Sequence, residues 1–215
     1  SVNPPIAPPV AVTVPLIVVL PLESTEKFGV AICISLVCPE SNFIKEGNFV
    51  LKSGLISNFY VDIKSIFSNP EIMRNISDML FVKINDYINK NKLKLENIAI
   101  CGLPYAGIPF ASYISLAYGI PLIVLRKEQK GYGTNNIIEG TLSNKTHLIL
   151  IDDILTTGTS ILNSLENFIN NKLTISAFII IDREQNKDEL AIENKKILNN
   201  NLDCVSTLFK LSDFS

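Results

Sequence analysis

Residues 147 to 161, HLILIDDILTTGTSI, constrain the fold of this chain more than any other segment. Leu148 to Ile151 form an uninterrupted apolar run, which is typical of a strand buried on both faces in a parallel sheet. The run stops at Asp152 and Asp153, and a short turn then leads into TTGTS (156–160) and a predicted helix. Hydroxyls, a glycine and the free N–H groups of a helix start favour phosphate binding. Carboxylates at the end of a strand suit sugar hydroxyls or a hydrated magnesium ion.

Parts of this segment also have a purely structural explanation, because strands that end in aspartate and helices capped by Ser or Thr are common in α/β proteins. The segment lacks the GK[ST] of a Walker A loop and the GxGxxG of a Rossmann fingerprint. As a whole it resembles the phosphoribosyl-diphosphate (PRPP) signature of the type I phosphoribosyltransferases. That resemblance implies PRPP contacts at Asp152, Asp153, Ile154, Leu155, Thr156, Thr157, Gly158, Thr159 and Ser160.

Strand and helix patterns alternate along residues 43 to 215, which predicts one α/β domain. Asn69-Pro70-Glu71 combines an N-cap, a proline and an acid at a helix start, and helical spacing follows to Ile88. Strands are predicted at 97–101, 121–125, 148–151 and 175–181, with helices at 108–118 and 159–171. The alternation predicts a mainly parallel central sheet with helices on both faces. Two short strands near 49 and at 58–63 precede it, and Asn199 to Asn201 are predicted to form a surface loop.

Segments with residues that could take part in the chemistry follow four of these strands. They are Gly102 to Gly107, Arg126 to Lys130, Asp152 to Ser160, and Asp182 to Glu184. Because the carboxyl ends of parallel strands share one edge of a sheet, these segments are predicted to form one site. A cationic loop at 126–130 suits a reaction that releases pyrophosphate, since it can cover and stabilise the developing charge.

Five strings occur together in a characteristic order: FVLKSGLISNFYVDIKS (49–65), GLPYAG (102–107), RKEQKGYGTNNIIEG (126–140), the PRPP segment and IDREQ (181–185). The set resembles orotate phosphoribosyltransferase, above all the eukaryotic form fused in UMP synthase. The resemblance implies the type I phosphoribosyltransferase fold with a small hood region. It also implies magnesium-dependent transfer of phosphoribose from PRPP to N1 of orotate, giving orotidine 5′-monophosphate and diphosphate in pyrimidine biosynthesis.

The resemblance assigns roles to further residues. Orotate would lie near Lys52, Tyr60, Val61, Thr156 and Arg183, and a guanidinium suits its planar carboxylate. PRPP would contact Lys52, Tyr105, Ala106, Arg126, Lys127, Lys130 and Tyr132. Lys130, Asp152 and Asp153 would be the catalytic groups, and Mg²⁺ would be held mainly through PRPP and water near the two aspartates.

The lid at 126–133 would reach into the neighbouring subunit, which implies a homodimer. Some positions depart from the family pattern. Ala106 stands where bacterial enzymes usually carry lysine, Gly131 where aspartate is common, Tyr132 where bacterial enzymes carry histidine, and Asn58 where proline is usual. We expect Gly131 to loosen the lid.

Residues 1 to 42 are predicted to form an N-terminal extension with an opening helix at 28–37. Pro15 divides the apolar stretch Val10 to Leu20, which is too short for a membrane helix. The chain ends soon after IDREQ, so we expect no barrel domain and a complex with a separate orotidine 5′-monophosphate decarboxylase.

Net charge and cysteine content further limit the classes of function that this chain can have. The net charge is −2, which argues against nucleic acid binding. The four cysteines form no metal-binding pattern, so reduced thiols and a cytoplasmic location are expected. A purine or uracil phosphoribosyltransferase would share the PRPP segment but not the KSG and RKEQKGYG strings. A regulator that binds PRPP without catalysis, and contacts RNA, would need a basic face and a degraded lid.

Overall fold

The computed structural model describes residues 44–50, 56–127 and 137–214. Its first element is a small antiparallel sheet of two strands, β1 (Ile44–Val50) and β2 (Ile56–Val61). The strand predicted at 58–63 ends earlier than expected, because Ile63 already begins a short 3₁₀ helix. This sheet corresponds to the predicted hood region and is separate from the main sheet.

The main sheet has six strands in the order β5-β4-β3-β6-β7-β8. Five of them are parallel, and β5 pairs with β4 in the antiparallel sense. The strands are β3 (Ile98–Gly102), β4 (Leu122–Leu125), β5 (Ile138–Glu139), β6 (His147–Leu155), β7 (Thr174–Asp182) and β8 (Cys204–Lys210). The helices are α1 (Pro70–Lys90), α2 (Gly107–Tyr118), α3 (Thr159–Leu165) and α4 (Glu189–Asn201). The predicted α/β architecture is therefore confirmed.

Local signals placed the ends of two helices correctly. The Asn69 side chain accepts hydrogen bonds from the N–H groups of Glu71 and Ile72 at 3.2 and 3.1 Å, so it caps α1 as predicted. Gly119 follows α2 in the left-handed conformation with φ 71°, which a residue without Cβ adopts at low cost.

Two predicted boundaries were wrong. The strand β6 does not stop before the aspartates but runs through them to Leu155, because pairing with β7 continues as far as Leu155 opposite Asp182. The helix predicted at 159–171 ends at Leu165, and a 3₁₀ helix (Glu166–Asn171) completes the segment. The longer strand carries both aspartates on the sheet itself rather than on a loop.

The helix α4 and the strands β5 and β8 were not predicted. Asn199 to Asn201, expected in a surface loop, form the last residues of α4. Asp188 caps this helix by accepting a hydrogen bond from Ala191 N at 3.0 Å. The helix was missed because asparagine has a low intrinsic helix propensity. Packing against the sheet overrides this propensity in the folded protein.

Each face of the main sheet has its own hydrophobic core. Leu80 and Ile84 of α1 and Ile114 of α2 lie in one core, whereas Ile161 of α3 and Leu198 of α4 lie in the other. Each such buried side chain stabilises the fold by roughly 1.5–3 kcal/mol. Helices thus cover both faces, as predicted. Within the described part of the chain, no helix is both long and apolar enough to span a membrane.

Candidate active site

The predicted loops meet at the carboxyl edge of the sheet. Leu103 N, just after β3, donates a hydrogen bond to Ile151 O in β6 at 2.8 Å. Arg183 N, just after β7, donates to Leu155 O at the end of β6 at 2.9 Å. The Lys127 ammonium, beyond β4, lies 5.5 Å from the centre of the Tyr105 ring. The described residues of the four segments, which stop at Lys127 in the loop after β4, therefore lie along one rim, as the sequence predicted.

Two glycines allow the loop after β3 to lie against β6. A Cβ on Gly107 would be 2.1 Å from Ile151 O, and one on Gly102 would be 2.4 Å from Gly107 O. The Pro104–Tyr105 peptide bond in this loop is cis. Tyr105 is exposed, but Ala106 is buried, so Ala106 can offer a ligand its backbone rather than its methyl group.

The TTGTS loop presents hydroxyls and backbone N–H groups beside this rim. Gly158 has φ 77° and no side chain that could cap the first turn of α3. The Thr157 and Thr159 hydroxyls are 3.0 Å apart, and Asn194 Nδ2 of α4 donates to Thr159 Oγ1 at 3.2 Å. Thr159 and Ser160 are exposed, whereas Thr156 is half-buried. The arrangement suits a phosphate group.

The two aspartates have different surroundings because successive residues of a strand point to opposite faces. Asp152 is 7% exposed and accepts a hydrogen bond from Asp153 N at 3.0 Å. Burial, together with the charge of Asp153, raises the pKa of Asp152 to about 8. Asp153 is more accessible. The side chains of Ile154 and Leu155 lie in the two cores, so their contact with a ligand would involve the backbone.

Arg183 has an unusual environment for a cation. Its Nε and Nη2 atoms are buried and have no hydrogen-bond partner among the described residues. Burial lowers the pKa of Arg183, and its electrostatic interaction with Tyr60 opposes this shift. Tyr60 belongs to the hood strand β2, and its ring lies 5.4 Å from that of Phe49. Arg183 is therefore a half-buried cation with two buried donor atoms, Nε and Nη2, left for a ligand.

The base of the predicted lid is a hairpin. Arg126 N donates to Ile137 O at 2.8 Å, and the Arg126 guanidinium forms a salt bridge with Glu139 of β5. This ion pair gives Arg126 a structural partner besides any PRPP contact. Lys52, Lys130 and Tyr132 lie outside the described residues, as do Gly131 and residues 1–42, and the side chains of Asn58 and Val61 are likewise not described.

Sequence reasoning missed the residues that α4 contributes behind the rim. Asn194 contacts Thr159 of the TTGTS loop, and Lys195 Nζ lies 3.2 Å from Asp182 Oδ2 beside Arg183. Two sequence signals could have found α4: Asp188 followed by Glu189, which is typical of a helix start, and the helical spacing of Ala191 and Leu198.

Comparison with known proteins agrees with this geometry. The model of the phosphoribosyl transferase domain family matches residues 62–207. Orotate phosphoribosyltransferase of Pyrococcus horikoshii is 34% identical over 173 residues, which cover 80% of this chain and 89% of that protein. Uridine 5′-monophosphate synthase of Naegleria gruberi is 39% identical over 144 residues, which cover 66% of this chain but only 28% of that protein.

A solved structure extends the comparison to the fold. UMP synthase of Leishmania donovani superposes with a TM-score of 0.66 at 28% sequence identity, covering 85% of this chain and 36% of that one. Family, sequence relatives and fold thus agree with the site geometry. The chain belongs to the orotate phosphoribosyltransferase family within the phosphoribosyl transferase domain proteins.

Proposed function

We propose that this protein is an orotate phosphoribosyltransferase, which transfers phosphoribose from PRPP to N1 of orotate and releases diphosphate. The observation that carries the proposal is the guanidinium of Arg183, which lies at the same rim as the TTGTS loop and whose buried Nε and Nη2 have no hydrogen-bond partner among the described residues. A planar anionic base would supply the missing hydrogen-bond acceptors, since a guanidinium group can bind a carboxylate through two parallel hydrogen bonds. A purine or uracil has no carboxylate to offer.

Different residues at the rim would bind different parts of the substrates. Thr157, Gly158 and Thr159 would bind the 5′-phosphate through hydroxyls and N–H groups. Asp152 and Asp153 would hold the ribose hydroxyls and favour the positive charge that develops on the sugar as diphosphate leaves. Orotate can react as an N1 anion, so positioning and electrostatics would supply the catalysis and no side-chain nucleophile is needed.

Mg²⁺ fits this donor set as an ion bound with the substrate. Asp152 and Asp153 offer the carboxylate oxygens that it prefers. In the described ranges no group of three or more His, Cys, Asp or Glu could hold a metal, so PRPP and water would complete its ligands. When bound, the ion would neutralise charge on the diphosphate.

The lid proposal concerns Lys130 and the partner subunit. If Lys130 stabilises departing diphosphate, Lys130→Ala should lower kcat by more than about 100-fold. If the lid acts in trans in a homodimer, mixing Lys130→Ala with Arg183→Ala subunits should restore activity through hybrid sites. No recovery after confirmed subunit exchange would refute action in trans.

The complex with a separate orotidine 5′-monophosphate decarboxylase stays a prediction, as do the cytoplasmic location and the lack of nucleic acid binding. The similarity to UMP synthases supports a test of the decarboxylase complex by co-purification.

The deciding assay follows the loss of orotate absorbance on addition of PRPP and Mg²⁺, with uracil, adenine and hypoxanthine as competing bases. Arg183→Ala should raise the orotate KM by about tenfold or more, because a charged hydrogen-bonding partner is lost, and leave the PRPP KM nearly unchanged. Arg74→Ala, at an exposed position of α1, is the control. Turnover of a purine or uracil in place of orotate would refute the proposal.

A further inference from the structure

One asparagine of α4 is buried at a helix position where an apolar side chain would pack without polar atoms to satisfy. The buried residues of α4 are Ala191, Asn194 and Leu198, and Asn194 is 7% exposed. Burial of an amide costs free energy unless its polar atoms find hydrogen-bond partners. Such a partner is present, because Asn194 Nδ2 donates a hydrogen bond to Thr159 Oγ1 at 3.2 Å. The buried amide therefore links α4 to the TTGTS loop.

The helix packs closely against this loop at the position of Asn194. A Cβ on Gly158 would lie 3.8 Å from Asn194 Cβ and 2.7 Å from Leu198 Cδ1. Gly158 itself is buried and precedes Thr159 directly. The contact between the amide and the Thr159 hydroxyl is therefore supported by packing of the helix against the loop backbone.

The hydroxyl protons of the loop can be counted. The Thr157 and Thr159 hydroxyls are 3.0 Å apart, so one of them donates to the other, and each has a single proton. An amide nitrogen only donates, so the contact with Asn194 uses no hydroxyl proton. One of the two hydroxyl protons is thus left for a ligand. A hydrogen-bond acceptor at position 194 would take this second proton.

The remaining proton suits a phosphate group. Phosphate oxygens are strong hydrogen-bond acceptors, and a hydrogen bond to a charged oxygen is stronger than one between neutral groups. Thr157 is half-buried and Thr159 is exposed, so a ligand can reach the hydroxyl pair.

We propose that Asn194 is a positioning residue that, through Thr159, directs a hydroxyl proton of the threonine pair towards the 5′-phosphate of PRPP. Asn194 itself need not touch the ligand. This role rests on the proposed function in one respect, since that function places the 5′-phosphate at the TTGTS loop. It gives α4 a part in phosphate binding from behind the loop.

Asn194→Asp tests the proton count, because aspartate keeps the shape of the side chain and replaces the donor by an acceptor. The dissociation constant of PRPP, measured by calorimetry with Mg²⁺ and without orotate, should rise about tenfold or more. As the pH falls, the new carboxyl group gains a proton and can donate again. The ratio of this constant to that of the wild type should then approach unity, and the ratio removes the contribution of groups that titrate in both proteins, such as Asp152. Asn199→Asp, at an exposed position of the same helix, is the control.

Asn194→Leu tests the same contact without adding a charge. Leucine neither donates nor accepts, so the threonine pair keeps its free proton but loses the group that orients it. The dissociation constant of PRPP should rise, but by less than in Asn194→Asp. In a Thr159→Val background, which lacks the hydroxyl, Asn194→Leu should have no added effect, because both changes remove one hydrogen bond. This comparison decides the role even if the aspartate variant does not fold, which thermal unfolding of each variant checks.

Three results would overturn the inference. Wild-type affinity for PRPP in Asn194→Asp or Asn194→Leu would show that phosphate binding does not depend on this amide. Equal losses in these two variants at every pH would show that Asn194 acts only by packing. Additive losses in Asn194→Leu/Thr159→Val would show that it does not act through Thr159.

The binding measurement also separates this inference from the proposed function. A wild type that binds PRPP but does not use orotate refutes the proposed function, whereas the variants still decide the role of Asn194. A wild type that does not bind PRPP refutes both.

Discussion

Replacing Gly158 by alanine in the TTGTS loop (156–160) tests the packing of α4 against this loop. Gly158 has φ +77°, and Gly119 at the end of α2 has φ +71°, so alanine suffers nearly the same backbone strain at both positions. Their surroundings differ. A Cβ on Gly158 would be 2.7 Å from Leu198 Cδ1, whereas no atom of the described residues lies within 4 Å of a Cβ on Gly119.

The expected magnitudes follow from these distances. Left-handed backbone costs a residue with a Cβ about 1–2 kcal/mol, which is all that Gly119→Ala should lose. Gly158→Ala must also displace the Leu198 side chain, which is 1% exposed and packed in the core. Overpacking of this kind costs about 1–3 kcal/mol more. The smaller unfolded-state entropy of alanine contributes equally to both variants and cancels in the difference.

Urea denaturation measures the two free energies of unfolding. The PRPP KM, obtained with the same proteins, should rise only in Gly158→Ala, because a shifted Thr157–Thr159 pair would lose phosphate contacts. Equal losses of stability in the two variants would refute the reasoning, since they would mean that Leu198 does not restrict Gly158. A Gly158→Ala protein with normal PRPP affinity would exclude the loop geometry as the determinant of phosphate binding.

The remaining predictions concern other parts of the chain. Because the pKa of Asp152 is raised, its carboxyl group binds a proton more tightly in the folded protein than in the unfolded chain. In the absence of PRPP and Mg²⁺, the free energy of unfolding should therefore fall as the pH rises from 3.8 to about 8. Asp152→Asn should flatten this dependence, and a titration unchanged by that substitution would contradict it. Gly107→Ala should prevent stable folding or lower Tm sharply, because its Cβ would overlap the Ile151 carbonyl, which is backbone and cannot rotate away; a normal melting curve would exclude that contact. Deleting residues 1–22 should leave kcat within a few-fold, because every predicted site residue is Lys52 or later in the chain; abolished turnover in a folded dimer would move the predicted domain boundary.

Local chemistry determined much of this protein from the sequence alone. Asn69 before Pro70 and Glu71 begins a helix and Gly119 ends one, as their sequence signals predicted, because the interactions lie within a single turn. The apolar run of β6 and the TTGTS string after it likewise predicted a buried strand and the start of a helix, although the strand extends further than the run. The convergence of four loops followed from the rule for parallel strands.

Only the tertiary structure determined which partner each charged side chain has. The extension of β6 depends on its partner β7, and the formation of α4 depends on the core beneath Leu198. Nothing local distinguishes Arg126, which pairs with Glu139, from Arg183, whose neighbouring acids are held by Lys195 and Ser212 N. The physical reason is that a charge is satisfied by whatever lies within a few ångströms, and these partners are brought there by packing across the fold rather than by position along the chain.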